Sequence, residues 1–308
     1  MKPAAGDGQR VLRLQPPVNV TWDRTVARWL SQRNDRAPET IRREGHLLAW
    51  LQARLQGMPI ADISHAVLEE LRNQKLEDGA GPRTANYLVG IVSTVLTAAA
   101  GWGWVNSAPR IKPLRLPPGR VRWLTHAEAR LLLQELSQPL RDMAAFTLET
   151  GLRWGNVAGL SWRHVDLSRR VVTFSAAEVK GRSGLVVPLT SPAAQILDLN
   201  RGRHPRWVFI SQGKRVGRPP RLSWYGALQR ACIEDFRWHD LRHTWASWHA
   251  QRGTPMLVLQ QLGGWKSPSM VARYAHLDTS SLRAHVDAFS DWNRASLARN
   301  QLVLDLSS

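Results

Sequence analysis

A proline- and arginine-rich segment near the middle of the chain constrains its fold more than any other feature. Residues 109–122 contain four prolines among five basic residues. Proline fixes a backbone torsion and removes an amide donor, so the segment is predicted to be a stiff, extended linker. Its basic side chains would either follow a phosphate backbone or lie in solvent. Because 308 residues are too many for one small domain, we expect two modest domains joined here.

Apolar residues before this linker repeat with helical spacing. We expect a flexible arm over residues 1–19, which contain proline and glycine without apolar periodicity. An all-helical domain is predicted over residues 20–108. Thr21 and Ser64 have the chemistry of helix N-caps, and a further helix is predicted over residues 81–100.

One uncharged stretch in this domain, residues 84–109, is long enough to span a bilayer. The same stretch contains hydroxyl and amide side chains, three glycines and a proline. These residues favour a buried helix followed by a glycine-rich turn, so we expect no membrane partner.

The residues after the linker, 123–280, mix two periodicities. Thr125 is a predicted helix N-cap, whereas Val171–Phe174 and residues 185–189 are β-rich runs. Lys180 lies in the turn-rich tip between these runs. The predicted fold class is therefore mainly α with a small β-sheet.

The net charge of the chain indicates which classes of partner it can bind. The chain has 42 Lys and Arg against 24 Asp and Glu, a formal net charge of +18. Such an excess attracts nucleic acid or an acidic membrane surface, and its spread along the chain favours a long binding face. Cys232 is the single cysteine. It allows no internal disulfide and no cysteine-based zinc site, and it suits a reducing cytoplasm.

A histidine- and arginine-containing segment, residues 239–243, is predicted to lie on a helix. His239 and Arg242 are three residues apart and share a helical face. A phosphate suits this pair, because arginine offers a fork of donors and histidine can donate or accept a proton. Two alternatives remain: Arg242 in a structural ion pair, or a metal held by His239 and His243. The second lacks the glutamate that follows the first histidine in zincins.

Three further residues could carry chemistry. Tyr274 is one of three tyrosines and lies on a helix predicted to begin at Ser267, after a helix that Gly263 should end. Arg153 follows a glycine turn at a helix end, and Lys180 lies at the hairpin tip. Each alone is more often structural: a tyrosine in the core, or a cation on the surface.

Together these motifs resemble the tyrosine recombinase family of the lambda-integrase type. In chain order they are Thr-Gly-Leu-Arg at residues 150–153, Lys180, His-Asp-Leu-Arg-His at residues 239–243, and Gly-Trp at residues 264–265 with Tyr274 nine residues after the tryptophan. Four ordered motifs are far more specific than any one of them. The resemblance implies a helical core-binding domain followed by an α+β catalytic domain.

The resemblance covers roughly residues 20–285, and the chain departs from the family's pattern at two positions. Trp265 stands where many members have histidine, and its indole N–H can donate to a phosphate oxygen but cannot shuttle a proton. Asn156 stands where an acidic residue is frequent, and it cannot form the corresponding ion pair with Arg153.

In this family's chemistry a tyrosine hydroxyl attacks a scissile phosphate, leaving a 3′-phosphotyrosyl link and a free 5′-hydroxyl. The resemblance assigns the nucleophile to Tyr274 and the base, or a relay to it, to His239. Lys180 would protonate the leaving 5′-oxygen.

The same resemblance implies that the phosphate is bound by Arg153, Arg242 and Trp265, which would stabilise the charge of the transition state. No metal, other cofactor or ATP is implied, since arginines supply positive charge and the phosphotyrosine keeps the bond energy.

The implied partner is double-stranded DNA, bound by a tetramer in the cytoplasm near the nucleoid. The tail, residues 281–308, would dock on a neighbouring subunit or pack on its own domain. We expect integration or excision of a prophage or mobile element. A chromosome-dimer resolvase, a type IB topoisomerase and a non-catalytic DNA-binding regulator are the alternatives. Further phosphate contacts are predicted at Arg42, Arg43, Arg83, Lys112, Arg115 and Arg120.

Overall fold

The chain folds into two compact units, Met1–Pro118 and Gly119–Ser308. The computed structural model describes residues 19–33, 38–117, 120–178, 184–217, 220–277 and 286. Helices dominate both units and strands are few, which confirms the predicted fold class of mainly α with a small β-sheet. Most of the predicted arm and tail, and Lys180 at the hairpin tip, lie outside the described residues. The role of residues 109–122 as a linker stays a prediction.

Four α-helices are found among the described residues of the first unit. They are α1 (Trp22–Ser31), α2 (Pro38–Leu55), α3 (His65–Glu77) and α4 (Pro82–Gly101). Ser64 caps α3 as predicted, because its hydroxyl accepts a hydrogen bond from the Val67 amide. Thr21 occupies the N-cap of α1, but its side chain makes no capping bond.

The α4 helix lies at the centre of the first unit. Its length and mean hydropathy of 1.3 would allow it to cross a membrane. In the fold, its side chains Leu88, Val92 and Val95 are completely buried, and the helix packs against α1 and α3. Burying this face stabilises the unit, since each large aliphatic side chain contributes roughly 1.5–3 kcal/mol.

Where the second unit is described, seven α-helices form most of it. Thr125 caps the first of them through a reciprocal capping box with Glu128. The longest, α10, packs against α6 and α11. The helices are α5 (His126–Glu135), α6 (Leu140–Thr150), α7 (Trp154–Ala158), α8 (Ser191–Leu199), α9 (Arg221–Arg230), α10 (Trp238–Gln251) and α11 (Met256–Gly263).

In the described parts of the chain, five short strands form two antiparallel sheets. The first has the order β1 (Val165–Asp166), β2 (Val171–Phe174) and β3 (Leu185–Pro188). Val172 pairs with Val187 and both face the core, in agreement with the period of two along each strand. The second sheet contains β4 (Ile210–Ser211) and β5 (Lys214–Arg215).

Two details near the end of the described chain differ from prediction. The helix expected from Ser267 is instead two 3₁₀ segments, Pro268–Met270 and Ala272–Leu277. The stop predicted at Gly263 falls one residue later, because Gly263 is still helical and Gly264 adopts the left-handed conformation, with φ of 60°.

Candidate active site

The first residues of α10 position a histidine and an arginine of the site. Trp238 and Leu241 are buried and hold this helix against the core of the second unit. The Asp240 carboxylate accepts a hydrogen bond from the Arg237 amide and so caps the helix. His239 and Arg242, three residues apart, consequently face one cavity.

Arg242 is buried, and backbone carbonyls fix its guanidinium. Its two terminal nitrogens donate to the carbonyls of Gly151, at 2.5 Å, and Gly263, at 2.6 Å. The guanidinium carbon also lies 4.1 Å from the centre of the Trp265 ring. Burial lowers the pKa of Arg242 to about 9. These two bonds use two of the five guanidinium N–H groups, so three can still bind an anion.

Two glycines make this arrangement possible. A Cβ atom at Gly151 would lie 2.2 Å from the Trp245 ring, and one at Gly263 would lie 2.0 Å from the Trp265 ring. Gly151 also has a φ of 64°, which side chains disfavour. Both motifs therefore need glycine so that a tryptophan can pack directly on the backbone whose carbonyl binds Arg242.

Arg153 enters the cavity from the start of α7, where it is the N-cap residue. Its guanidinium has no hydrogen bond or ion pair with any residue in the described part of the chain. Burial lowers the pKa of Arg153. Asn156 lies one turn further along and likewise offers Arg153 no charged partner. Arg153 and Arg242 are thus two cations in one cavity, and neither has a carboxylate partner among the described residues. This arrangement suits an anionic ligand.

Tyr274 is buried, with 1% of its surface exposed, yet it also lines the cavity. Its ring packs with Trp245, Leu259 and Trp265 in a small separate core. The hydroxyl oxygen lies 2.5 Å from Nδ1 of His243. Burial raises the pKa of Tyr274 to about 12, so the free hydroxyl keeps its proton at neutral pH.

The cavity has a volume of about 710 Å³. It brings together five of the six predicted catalytic residues, namely Arg153, His239, Arg242, Trp265 and Tyr274. The sixth, Lys180, lies outside the described residues. Enclosure in the cavity, followed by the charges of Arg242 and Arg153, lowers the pKa of His239.

Sequence reasoning missed four residues that line the same cavity: His243, Lys266, Met270 and Arg273. From the sequence, the only individual role predicted for His243 is that of a metal ligand. Within the described ranges, no three His, Cys, Asp or Glu side chains cluster closely enough to hold a metal ion. The spacing of four residues from His239 already placed His243 on the same helical face, and this was the available signal.

The six predicted phosphate contacts differ in their surroundings. Arg83, Lys112 and Arg115 are exposed, whereas the Arg43 guanidinium stacks on Tyr87 at 4.4 Å. Arg42 is exposed and has a contact of its own. Arg120 differs most, because it forms ion pairs with Asp235 and, at 3.2 Å, with Asp240. A phosphate would have to compete with both carboxylates for Arg120.

Comparison with known protein families places this cavity in context. Residues 122–281 match the model of the phage integrase family. The integrase of Salmonella phage P22 is 31% identical over 316 aligned residues, which cover 90% of this chain and 81% of the relative. The shufflon-specific DNA recombinase of Escherichia coli is 27% identical and covers 81% of this chain and 68% of the relative.

Solved structures show the same fold. The Tn1549 transposon integrase, in complex with transposon right-end DNA, aligns with a TM-score of 0.70 at 18% identity, over 88% of this chain and all of that one. A lambda integrase dimer bound to a core site aligns with a TM-score of 0.69 at 16% identity, over 85% and 97% of the respective chains.

Proposed function

The chain belongs to the phage integrase family of tyrosine recombinases, and we propose that Tyr274 is the nucleophile with which this site-specific recombinase cuts DNA. One observation carries the assignment. A buried phenol shares a cavity with Arg153 and Arg242, two enclosed cations that lack carboxylate partners in the described chain. A phosphodiester would supply the missing negative charge and present phosphorus to the tyrosine hydroxyl.

The arginines bind the phosphate in this proposal. Arg242 is held rigidly by the carbonyls of Gly151 and Gly263, so its remaining N–H groups need little reorganisation to bind a non-bridging oxygen. Arg153 binds from the start of α7. Because both cations are enclosed, their interaction with the negative charge that develops on the oxygens is stronger than it would be in water.

Trp265 has two roles in the proposal. Its ring stacks on the guanidinium of Arg242 and helps to hold it in place. Its indole nitrogen makes no hydrogen bond within the part of the chain that the structure describes, and so it can donate to a phosphate oxygen. The tryptophan thereby supplies the neutral donor that a histidine provides in other members.

Covalent chemistry then proceeds in one balanced displacement. A bond forms between the Tyr274 oxygen and phosphorus, and the bond from phosphorus to the 5′-oxygen breaks. Lys180 gives a proton to the leaving 5′-oxygen. The phosphotyrosine retains the energy of the broken bond, so a 5′-hydroxyl from another strand reverses the step and joins the strands. His239 lines the same cavity, where it can relay protons.

DNA is the partner of this protein, as it is for the relatives, and the recombination serves integration or excision of a phage or mobile element. We propose that a tetramer assembles on two double-stranded DNA sites in the cytoplasm, since strand exchange joins ends from two duplexes. Mass photometry of the protein with its site should then show four copies on paired duplexes, and one copy per duplex at all concentrations would contradict this assembly.

The nucleophile can be tested with a suicide substrate that is nicked beside the cut site. Loss of the short fragment prevents religation, so wild-type protein should accumulate an adduct with DNA that resists SDS. Tyr274→Phe should bind the same DNA and form no adduct. Tyr225→Phe, at a half-exposed tyrosine on α9, should form it at the wild-type rate. An adduct that persists in Tyr274→Phe would refute the assignment.

A further inference from the structure

The hydroxyl of Tyr274 has a single hydrogen-bond partner among the described residues, and that partner is His243. The distance from the hydroxyl oxygen to Nδ1 is 2.5 Å. His239, to which the resemblance assigns the base or a relay to it, makes no hydrogen bond with the tyrosine in the described structure. Its ring lies at right angles to that of His243, with 5.2 Å between ring centres. The histidine in contact with the reacting atom is therefore the second of the pair.

The surroundings keep His243 neutral. Burial lowers its pKa to about 4, and nearby positive groups act in the same direction. A neutral imidazole has one acceptor nitrogen, and the phenol of Tyr274 is fully protonated at neutral pH, so the tyrosine donates and Nδ1 accepts. The groups that face His243 are His239 and Arg242 on α10, Arg273 on the last 3₁₀ segment, and Arg120 on the segment before α5.

We propose that His243 is the catalytic base that takes the proton of Tyr274 when the hydroxyl attacks the scissile phosphate. This inference rests on the proposed function of Tyr274. The O–H bond of the tyrosine breaks as the N–H bond forms on Nδ1, while the oxygen bonds to phosphorus and the 5′-oxygen leaves with a proton from Lys180. No further oxidant, metal or co-reactant enters the balance.

Bound DNA is what makes this transfer favourable. The positive groups around His243 oppose its protonation in the free protein. A phosphate between Arg153 and Arg242 offsets their charge, stabilises an imidazolium and raises the pKa of His243. The tyrosine is consequently inert until a phosphate enters the cavity, and substrate binding itself activates the base.

The test separates proton removal from leaving-group protonation. Single-turnover adduct formation is measured with the suicide substrate and with a version that carries sulfur at the 5′-bridging position. A thiolate leaves without a proton, so the sulfur substrate should restore the rate of adduct formation by Lys180→Ala. It should not restore the rate of His243→Asn, because the asparagine amide can accept a hydrogen bond but not a proton. We expect His243→Asn to be slower by roughly 10²- to 10⁴-fold on both substrates.

His239→Asn is the matched control, since it changes the neighbouring ring on the same helical face. Its rate should fall less than that of His243→Asn, and it should keep the wild-type loss of rate at acidic pH, which His243→Asn should lack. Equal rates for His243→Asn and wild type, or restoration of His243→Asn by sulfur, would overturn the proposal. In either case wild-type protein would still form the adduct, so the role of Tyr274 would stand.

A measurement on the wild-type protein avoids any dependence on folding of the variants. Nitrogen NMR of the histidine rings should show His243 with its proton on Nε2 and with Nδ1 free to accept. A ring that carries its proton on Nδ1 at neutral pH would donate to the tyrosine oxygen, and this result would also overturn the proposal.

Discussion

At the scale of single residues, the site depends on how Arg242 is fixed. Its guanidinium contacts two carbonyls and one indole ring, and both carbonyls belong to glycines that lie under tryptophans. Because the cation is already in place before DNA arrives, little binding energy is lost in ordering it. The glycines are therefore as necessary to phosphate binding as the arginine.

Replacing Gly151 by alanine should show this dependence. The new Cβ would collide with Trp245 and would also be strained at a φ of 64°. We expect a loss of roughly 2–4 kcal/mol in the free energy of unfolding, the sum of overpacking and backbone strain. Urea denaturation measures it.

Gly202→Ala is the matched control for this change. Gly202 has a φ of 78°, with nothing within 4 Å of the added Cβ. It should lose only about 1 kcal/mol, from strain alone. Equal losses at Gly151 and Gly202 would show that the contact with Trp245 carries no stability.

At the scale of elements, Glu178 holds the residues that follow β2. This carboxylate accepts hydrogen bonds from the amide and hydroxyl of Ser175, at 3.0 and 2.7 Å. It also contacts Arg163 and, at 2.9 Å, Nε2 of His164. The bonds tie the residues after β2 to a 3₁₀ turn, Trp162–His164, that precedes β1. Lys180 follows Glu178 by two residues in the sequence.

Glu178→Gln should weaken this attachment and misplace Lys180. We expect adduct formation to slow by roughly tenfold, since small displacements of a reacting group reduce rates by up to about 10². The sulfur-containing substrate, which needs no proton from lysine, should restore the rate. Glu135→Gln, which removes a surface ion pair with Arg230, should leave the rate unchanged. A defect in Glu178→Gln that sulfur does not relieve would contradict a role through Lys180.

Acid should leave this attachment intact over most of the pH range. The hydrogen bonds from Ser175 and His164 lower the pKa of Glu178 from 4.5 to about 2. A lowered acid pKa stabilises the folded state above pH 4.5, and the contribution disappears only as pH falls through about 2.

Local patterns predicted the caps at Ser64 and Thr125 and the strands, but not the contacts between distant residues. Ser64 and Thr125 bond to amides three positions away, and the alternation of β2 and β3 follows from the pleat, so each could be predicted from a short window. The bond between His243 and Tyr274 joins positions 31 apart, and that between Arg120 and Asp235 joins positions 115 apart. Such pairs depend on the tertiary fold, which a short stretch of sequence does not specify.

At the scale of the whole molecule, a net charge of +18 predicts that DNA affinity falls steeply with salt. Each phosphate contact adds about −0.9 to the slope of log affinity against log salt concentration. Arg115 is exposed, so Arg115→Ala should make the slope less negative by about 1. Arg120 is already paired with Asp235 and Asp240, so Arg120→Ala should leave the slope nearly unchanged. Fluorescence anisotropy at several salt concentrations measures both, and the reverse ranking would contradict this interpretation of the two arginines.

The central claim is that a phosphate in the cavity reacts with Tyr274, and peptide mapping of the covalent adduct tests it most directly. Trypsin releases the three tyrosines of this chain on three separate peptides, and cleavage after Arg273 and Arg283 gives the one that begins at Tyr274. After nuclease digestion of the trapped DNA, tandem mass spectrometry should find the nucleotide phosphate on Tyr274 alone. A phosphate on the peptide of Tyr87 or Tyr225, or on a residue other than tyrosine, would contradict the account.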